Sequence, residues 1–381
     1  MAKATPAKAT PEAWMARALK LARRGLYTTD PNPRVGCVLV KHHRMIGEGW
    51  HRRAGEAHAE IHALRAAGEA ARGATAYVTL EPCAHHGRTG PCAQALIDAG
   101  VTTVVAAMQD PNPLVAGQGL AMLRDAGVEV EVGLLEDAAR ALNAGFVMRM
   151  SRGRPFVRLK MAMSLDGRTA MASGESQWIT GPSARTEVQR LRARSSAVMT
   201  GVESIIFDNS RLTLRADQLR LDDAEAIAAR QPLRVVVDTR LRLPLAAACL
   251  REPGRTLIAT CSRDDSRRQA LEATGAEVIV LACDRGGRVD LEALLRHLAS
   301  AEQCNEVLLE TGATLAGAML DAELIDEMQL FVAPTLLGGE ARPLFALPGL
   351  ERMAQQRALH IDDIRAVGHD WRITARPERT A

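Results

Sequence analysis

A chain of 381 residues exceeds one ordinary core and suits two domains at about 100 to 200 residues each. Hydrophobic residues make up 47% and charged residues 24%, a globular balance that excludes a disordered or low-complexity chain. A net charge of +3 and an aromatic content of 3% give neither the cationic footprint nor the stacking surface of a dedicated nucleic-acid binder. No apolar run approaches the ~18 residues of a membrane span, and the first residues lack the apolar core of a signal peptide. A cytoplasmic protein with no membrane partner is expected. Seven cysteines, an odd number, argue against a disulfide framework. Cys83 and Cys92 read as a metal-binding pair, while Cys37, Cys249, Cys261, Cys283 and Cys304 read as small core hydrophobes.

Residues 1 to 11 read as a flexible tail. Pro11 and Gly25 then bracket an amphipathic helix with Trp14, Ala18, Leu19 and Ala22 on one face. Val35 to Val40 and Met45 to Trp50 flank the polar turn KHHR as a hairpin. The pattern then alternates: a helix over Ala59 to Ala67, a strand over Thr75 to Leu80, a helix over Pro91 to Ala99 and a buried strand over Val101 to Ala107. A helix near Gly119 to Ala126, a strand over Val128 to Val132 and a closing helix over Glu136 to Met148 follow. This order predicts an α/β sandwich around a largely parallel sheet.

The periodicity stops at Ser151-Arg152-Gly153-Arg154-Pro155, where a domain boundary is expected between residues 12–150 and 151–381. A strand over Phe156 to Met161 opens the second part, followed by a helix over Ser183 to Arg192. Strands are expected at Ala197 to Thr200, Leu233 to Val237, Thr256 to Ala259 and Glu277 to Leu281. After a helix at Leu291 to Leu298 come a strand at Glu306 to Glu310, a helix at Ala313 to Leu320, a strand at Met328 to Val332 and a late strand at Trp371 to Ala375. This part is also α/β, and no repeat relates the halves.

Seven of the ten histidines lie between positions 42 and 86, so the candidate chemistry concentrates in the first third. His58-Ala59-Glu60 opens a predicted helix, and Pro82-Cys83 follows a strand, with Cys92 nine residues on. Catalytic zinc takes three protein ligands and leaves its fourth position for water, so His58, Cys83 and Cys92 make a complete set. Helix N-termini favour the thiolate form such ligands need. Glu60 stands near the metal without being required as a ligand. There it can take a proton from the attacking water and deliver it to a leaving amine. This is the division of labour of a zinc deaminase, whose signature pairs H-x-E with P-C-x-x-C; here the thiols are spaced C-x8-C. A fourth ligand from His51, His85 or His86 would instead close the site, and two nearby thiols can also pack in a core without metal.

Pro31-Asn32-Pro33-Arg34-Val35-Gly36, His58-Ala59-Glu60 and the run from Glu81 to Cys92 together resemble the bifunctional riboflavin-biosynthesis deaminase/reductase family. Leu165-Asp166-Gly167-Arg168-Thr169-Ala170 and the run from Ser173 to Thr180 extend the resemblance to about residues 12 to 375. It implies a cytidine-deaminase-like α/β/α sandwich followed by a dihydrofolate-reductase-like α/β domain. It implies zinc in the first domain, NADPH in the second, phosphorylated pyrimidine substrates and a homo-oligomer. The first domain would deaminate a diaminopyrimidinone carrying a ribosylamino phosphate, with Asn32, His51, Arg88 and Thr89 matching substrate-holding positions.

The second domain would reduce the ribosyl group of the product to ribityl. The chain lacks the G-x-G-x-x-G of a dinucleotide-binding turn. Its Gly312 to Gly317 segment is instead a glycine turn opening a helix, where free N–H groups can cradle a phosphate. The resemblance assigns NADP to Gly312, Ala313, Thr314, Leu315, Ala316, Gly317 and Ala318, together with Ala162, Trp178, Ser204 and Asp208. It assigns the sugar-phosphate substrate to Ser176, Arg192, Leu212, Arg215 and Glu310. Asp208-Asn209-Ser210 departs from the family's Asp-Asp-Pro, which puts the local loop geometry in question and opens the alternative of an inactive reductase. Two further readings stand beside these. A zinc that only braces the fold would tolerate loss of Glu60. A deaminase acting on RNA would need a basic, aromatic second half, and this one holds a single lysine, Lys160.

Overall fold

The computed structural model describes residues 9–84 and 90–378, and the chain divides into two compact units, Met1–Gly153 and Arg154–Ala381. In the first unit, α1 (Pro11–Ala22) starts where Thr10 accepts a hydrogen bond from the Ala13 N–H. Strands β1 (Gly36–Lys41) and β2 (Arg44–Trp50) form the hairpin, and its two turn residues, His42 and His43, both take positive φ as a tight hairpin turn requires. The chain continues through α2 (Ala59–Ala67), β3 (Thr75–Val78), α3 (Cys92–Asp98), β4 (Thr103–Ala106), α4 (Gln118–Asp125) and β5 (Glu129–Val132) to α5 (Glu136–Leu142) and α6 (Ala144–Arg152).

The sheet order is β2-β1-β3-β4-β5. It is mixed rather than largely parallel: β1 runs antiparallel to both β2 and β3, and only β3–β4 and β4–β5 are parallel. The hairpin that the sequence predicts for β1 and β2 makes that pair antiparallel by construction. Alternate side chains of the central strands feed two cores. Cys37, Leu39, Ala76, Val78, Val104 and Ala106 meet α2, α3 and α4, whereas Val38, Val40, Tyr77 and Val105 meet α1, α5 and α6. The helix expected over Glu136 to Met148 is broken at Asn143. That buried side chain accepts from the Arg34 N–H at 2.8 Å and donates to the Arg34 carbonyl at 2.9 Å, tying the break to the strand entrance.

The second unit contains β6 (Phe156–Ser164), β7 (Arg168–Ala170), α7 (Pro182–Arg194), β8 (Ala197–Gly201), α8 (Val202–Asp208), the short α9 (Ala216–Leu219) and α10 (Ala224–Ala228), and β9 (Leu233–Val237). Then come β10 (Thr256–Thr260), α11 (Asp265–Glu272), β11 (Glu277–Val280), α12 (Leu291–Ser300), β12 (Glu306–Glu310), α13 (Ala313–Asp321), β13 (Glu327–Ala333), β14 (Arg342–Pro343), β15 (Leu359–Val367) and β16 (Asp370–Pro377). Nine strands form one sheet in the order β11-β10-β9-β8-β12-β6-β13-β16-β15, parallel from β11 to β13 and antiparallel across the last two pairings. Leu294, Leu298, Met319 and Leu320 of α12 and α13 cover one face; Val188, Leu191, Ile205 and Leu271 of α7, α8 and α11 cover the other. A buried ion pair between Arg158 and Glu306, at 2.7 Å, joins β6 to β12. Among the described residues no helix is long and apolar enough to cross a membrane.

Two cysteines expected in the core are not there. Cys261 is only partly covered and Cys283 is exposed, because both follow the ends of strands near the sheet edge, whereas Cys37, Cys249 and Cys304 are buried.

Candidate active sites

His58 is the N-cap of α2, in an extended conformation, and its side chain makes no capping hydrogen bond to the helix it starts. Cys83 lies just beyond β3, and Cys92 is the first residue of α3, its N–H donating to the Cys83 sulfur at 3.4 Å. The Sγ atoms of Cys83 and Cys92 stand 3.6 and 3.3 Å from His58 Nδ1, and all three donor atoms lie within 4.8 Å of one another. Tetrahedral zinc with bonds of 2.0 to 2.3 Å separates its ligand atoms by about 3.6 to 3.8 Å, so the donor set fits that ion. Interaction with the Cys92 thiol, against the opposing effect of burial, holds the Cys83 thiol down at about 4, while the same thiol–thiol interaction and burial push the Cys92 thiol up.

Glu60 sits in the first turn of α2, 3% exposed, and its Oε2 has no hydrogen-bond partner among the described residues. Burial, opposed in part by His58, pushes this carboxyl up to about 7. A proton can therefore move on and off it near neutrality.

The loop carrying Cys83 is fastened by Glu81, a residue whose role no local sequence pattern signals. The buried Glu81 carboxylate accepts four backbone N–H groups, from Asp110 and Gly117 at 3.0 Å, Gly119 at 2.9 Å and Leu120 at 3.4 Å. Gly119 permits that approach, since a Cβ there would lie 1.8 Å from the Pro82 carbonyl oxygen. Beside the ligands, the His51 ring meets the His58 ring edge-on with centroids 5.3 Å apart. Asn32 Nδ2 stands 3.2 Å from His51 Nε2, and His51 Nδ1 faces the Ala57 carbonyl at 3.3 Å. The tautomer that satisfies both has the proton on Nδ1 and leaves Nε2 to accept from Asn32. The structure thus brings Asn32, His51, His58 and Glu60 together. Arg88 and Thr89, like His85 and His86, lie outside the described residues.

In the second unit a cavity of about 1240 Å³ opens along the C-terminal ends of the parallel strands. Pockets for one small ligand hold about 300 to 1,000 Å³, so this volume suits two ligands side by side. Its wall includes Ala162, Ser176, Trp178, Arg192, Ser204, Asp208, Leu212, Arg215 and Glu310, and the turn residues Gly312, Ala313, Thr314, Leu315 and Ala318. Ala316 and Gly317 do not reach it. Ala316 is buried in the core, and Gly317 packs so close to Ala346 that a Cβ would lie 2.0 Å from its carbonyl oxygen.

Arg192 and Glu310 form a two-pronged ion pair at 2.6 and 3.0 Å, and Arg192 also donates to the Thr213 carbonyl at 2.7 Å. Arg192, followed by Lys160 and Arg215, holds the Glu310 carboxyl below its ordinary value against the opposing effect of burial. Lys160, known from the sequence only as the lone lysine of this half, lines the cavity beside them, and burial pushes its ammonium down. Thr239, Arg240, Arg242 and Arg288 line the far end beyond β9 and also escaped the sequence reading, because isolated arginines in loops carry no spacing signal. Arg240 has no ion-pair or hydrogen-bond partner among the described residues. At the departure from the family pattern, Ser176 Oγ donates to Asp208 at 2.9 Å. Asn209 takes the left-handed conformation that ends α8 and accepts from the Ala248 N–H at 2.8 Å. Asparagine suits that conformation, so the substitution leaves a defined helix end with Asp208 facing the cavity.

The arrangement defines a zinc-dependent deaminase joined in one chain to a reductase. The cytidine and deoxycytidylate deaminase zinc-binding region family matches residues 8–108, and the RibD C-terminal domain family matches residues 155–373. The chain is 51% identical to the riboflavin biosynthesis protein RibD of Escherichia coli (strain K12), covering 94% of this chain and 97% of that protein. It is 48% identical to RibD of Haemophilus influenzae, covering 96% and 97%. Among solved structures, Acinetobacter baumannii RibD superposes with a TM-score of 0.89 at 50% identity over 97% of this chain and 99% of that one. A diaminohydroxyphosphoribosylaminopyrimidine deaminase/5-amino-6-(5-phosphoribosylamino)uracil reductase from Thermotoga maritima superposes with a TM-score of 0.82 at 32% identity, over 96% and 98%. The chain belongs to the RibD family, the bifunctional deaminase/reductases of riboflavin biosynthesis, which use zinc and NADPH and act on small molecules.

Proposed function

We propose that residues 12–150 remove the 2-amino group of 2,5-diamino-6-ribosylamino-4(3H)-pyrimidinone 5′-phosphate by hydrolysis. Residues 151–381 then reduce the ribosyl group of the resulting 5-amino-6-ribosylaminouracil 5′-phosphate to ribityl with NADPH. The observation that carries this reading is the ring of His58, Cys83 and Cys92 with the unpartnered, buried oxygen of Glu60 beside it. The name of the Thermotoga relative supports the substrates.

His58 Nδ1 and the two sulfurs would hold the zinc, which when bound supplies Lewis acidity to the attacking water. Glu60 takes a proton from that water and hands it to the leaving amine, a shuttle its elevated pKa allows. Asn32 and His51 hold the base or ribose, while Arg88 and Thr89 take the phosphate.

In the second unit, the first N–H groups of α13, at Ala313 to Leu315, cradle the cofactor's diphosphate. Ala162, Trp178, Ser204 and Asp208 flank the nicotinamide half. Arg240, with Arg242 and Arg288, suits the extra phosphate that distinguishes NADPH from NADH. The cofactor supplies the hydride. Arg192 and Arg215 meet the substrate phosphate with donors left over from the Glu310 pair, beside Ser176 and Leu212. Lys160 is the ammonium placed to give the sugar oxygen a proton as the ring opens.

Two further parts of the reading rest on separate observations. Leu359, Ile361, Ile364 and Trp371 are exposed on β15 and β16, at one edge of the sheet, which supports self-association. All seven cysteines are free, which supports a reducing, cytoplasmic location. The test follows ammonia and NADPH absorbance in one cuvette with zinc-loaded protein and the diaminopyrimidinone substrate. One NADPH oxidised per ammonia released is expected; ammonia without NADPH loss would refute the reductase half.

A further inference from the structure

Neither chemistry uses the paired thiols at the end of the second sheet. Cys261 directly follows β10 and Cys283 lies three residues past β11, two parallel neighbours that pair through Thr260 and Val280. Cys283 Sγ lies 3.8 Å from the Cys261 carbonyl oxygen, and the Cys261 thiol, pushed up in part by Cys283, lies next to it. The other cysteines are buried or, in the case of Cys83, belong to the ligand set. The 261/283 pair is therefore the one open to a solvent-borne reagent.

Cys283 also roots part of the cavity wall. It bridges to Val289 across a tight turn in which the Asp284 N–H donates to the Arg288 carbonyl at 2.6 Å. Asp284 Oδ1 accepts from Gly286 and Arg288 N–H at 2.8 Å. Cys261 touches the same turn, its sulfur 3.8 Å from the Gly287 carbonyl oxygen. Asp284, Gly286, Gly287, Arg288 and Val289 all line the cavity. Tightly bonded turns move as units, so a displacement at Cys283 is passed on to Arg288.

We propose that Cys261 and Cys283 form a dithiol modification site for low-molecular-weight disulfides, and that its oxidation to an internal disulfide shifts the 284–289 turn and weakens NADPH binding. The second clause rests on the placement of NADPH in this cavity. The Cys261 thiol is pushed up to about 11, chiefly by burial and then by Cys283, so the first attack falls to the more exposed Cys283. Its thiolate attacks one sulfur of the small disulfide, forming a mixed disulfide and expelling a thiolate. Cys261 then gives up its proton, attacks the Cys283 sulfur and expels the second thiolate. Two protein thiols are oxidised, one small disulfide is reduced, and the two protons end on the two released thiols.

The experiment treats zinc-loaded full-length protein, Cys261→Ser and Cys283→Ser with oxidised glutathione. It reads peptide masses, retained zinc, and KM for NADPH with deaminated substrate. The expected result is a 261–283 cross-linked peptide lighter by two hydrogens, a severalfold rise in KM for NADPH reversed by dithiothreitol, and unchanged zinc. Cys283→Ser should show neither change, and Cys261→Ser should stop at a stable glutathione adduct. A persistent adduct on Cys283 in the unmodified protein, without cross-link, overturns the proposal. So does a cross-link that leaves KM unchanged; if Arg240→Ala then also leaves KM for NADPH unchanged, the placement of the cofactor falls with it.

Discussion

In the first unit, four reactive groups, His58, Glu60, Cys83 and Cys92, come from two helix starts and the loop between them, and the donor atoms of His58, Cys83 and Cys92 lie within 4.8 Å of one another. In the second, the cavity wall is drawn from residues as far apart in the chain as Lys160 and Ala346. The difference follows from what each site must do. Deamination needs a metal and a base fixed relative to each other by the protein, and short chain segments fix them best. Reduction takes its reactive bond from the cofactor, so the protein has only to align two ligands, and many scattered side chains can share that task.

The contrast predicts a graded response to substitution. The largest effect belongs to Glu60→Gln, which should lower deamination by about 10²- to 10⁴-fold while zinc stays at one per chain by metal analysis. Loss of the metal in that variant would make Glu60 a ligand or a structural group. Arg192→Ala should come next. It would remove the proposed contact to the substrate phosphate and leave Glu310 without its ion-pair partner, a change that costs about 3 to 5 kcal/mol at buried pairs. A raised KM for the phosphorylated sugar substrate, with ammonia release unchanged, is expected, and slower deamination would count against separate sites. Arg240→Ala should have the smallest effect, since a hydrogen bond to a charged group contributes about 1.5 to 3 kcal/mol. KM for NADPH should rise about tenfold or more and KM for NADH should not; equal change for both would remove Arg240 from the phosphate.

How far each region was readable from the sequence follows the same division. The helix over Ala59 to Ala67 and the strands over Leu233 to Val237 and Glu306 to Glu310 have the bounds their periodicity indicates, because each is buried on a regular face. β15 went unseen because it is exposed along almost its whole length and has no apolar alternation to report. The break at Asn143 depends on a partner 109 residues away, which no local window contains. At the sites, the deaminase cluster announced itself through spacing. Glu81 did not, since its role is to gather N–H groups from a loop some thirty residues later in the chain. In the reductase cavity, Lys160 and Arg240 became visible only once the strand ends were brought side by side. The turn at Gly312 is visible in sequence, but helix geometry decides that Ala316 and Gly317 face the core rather than the cavity.

The central claim is that each unit houses its own chemistry, one metal-dependent and one not. The most direct measurement treats the full-length protein with a zinc chelator until the metal is gone. It then follows ammonia release from the diaminopyrimidinone and, separately, NADPH oxidation with added ribosylaminouracil phosphate. Ammonia release should vanish and return with zinc, while NADPH oxidation continues at its original rate. Loss of both activities on chelation would contradict the account.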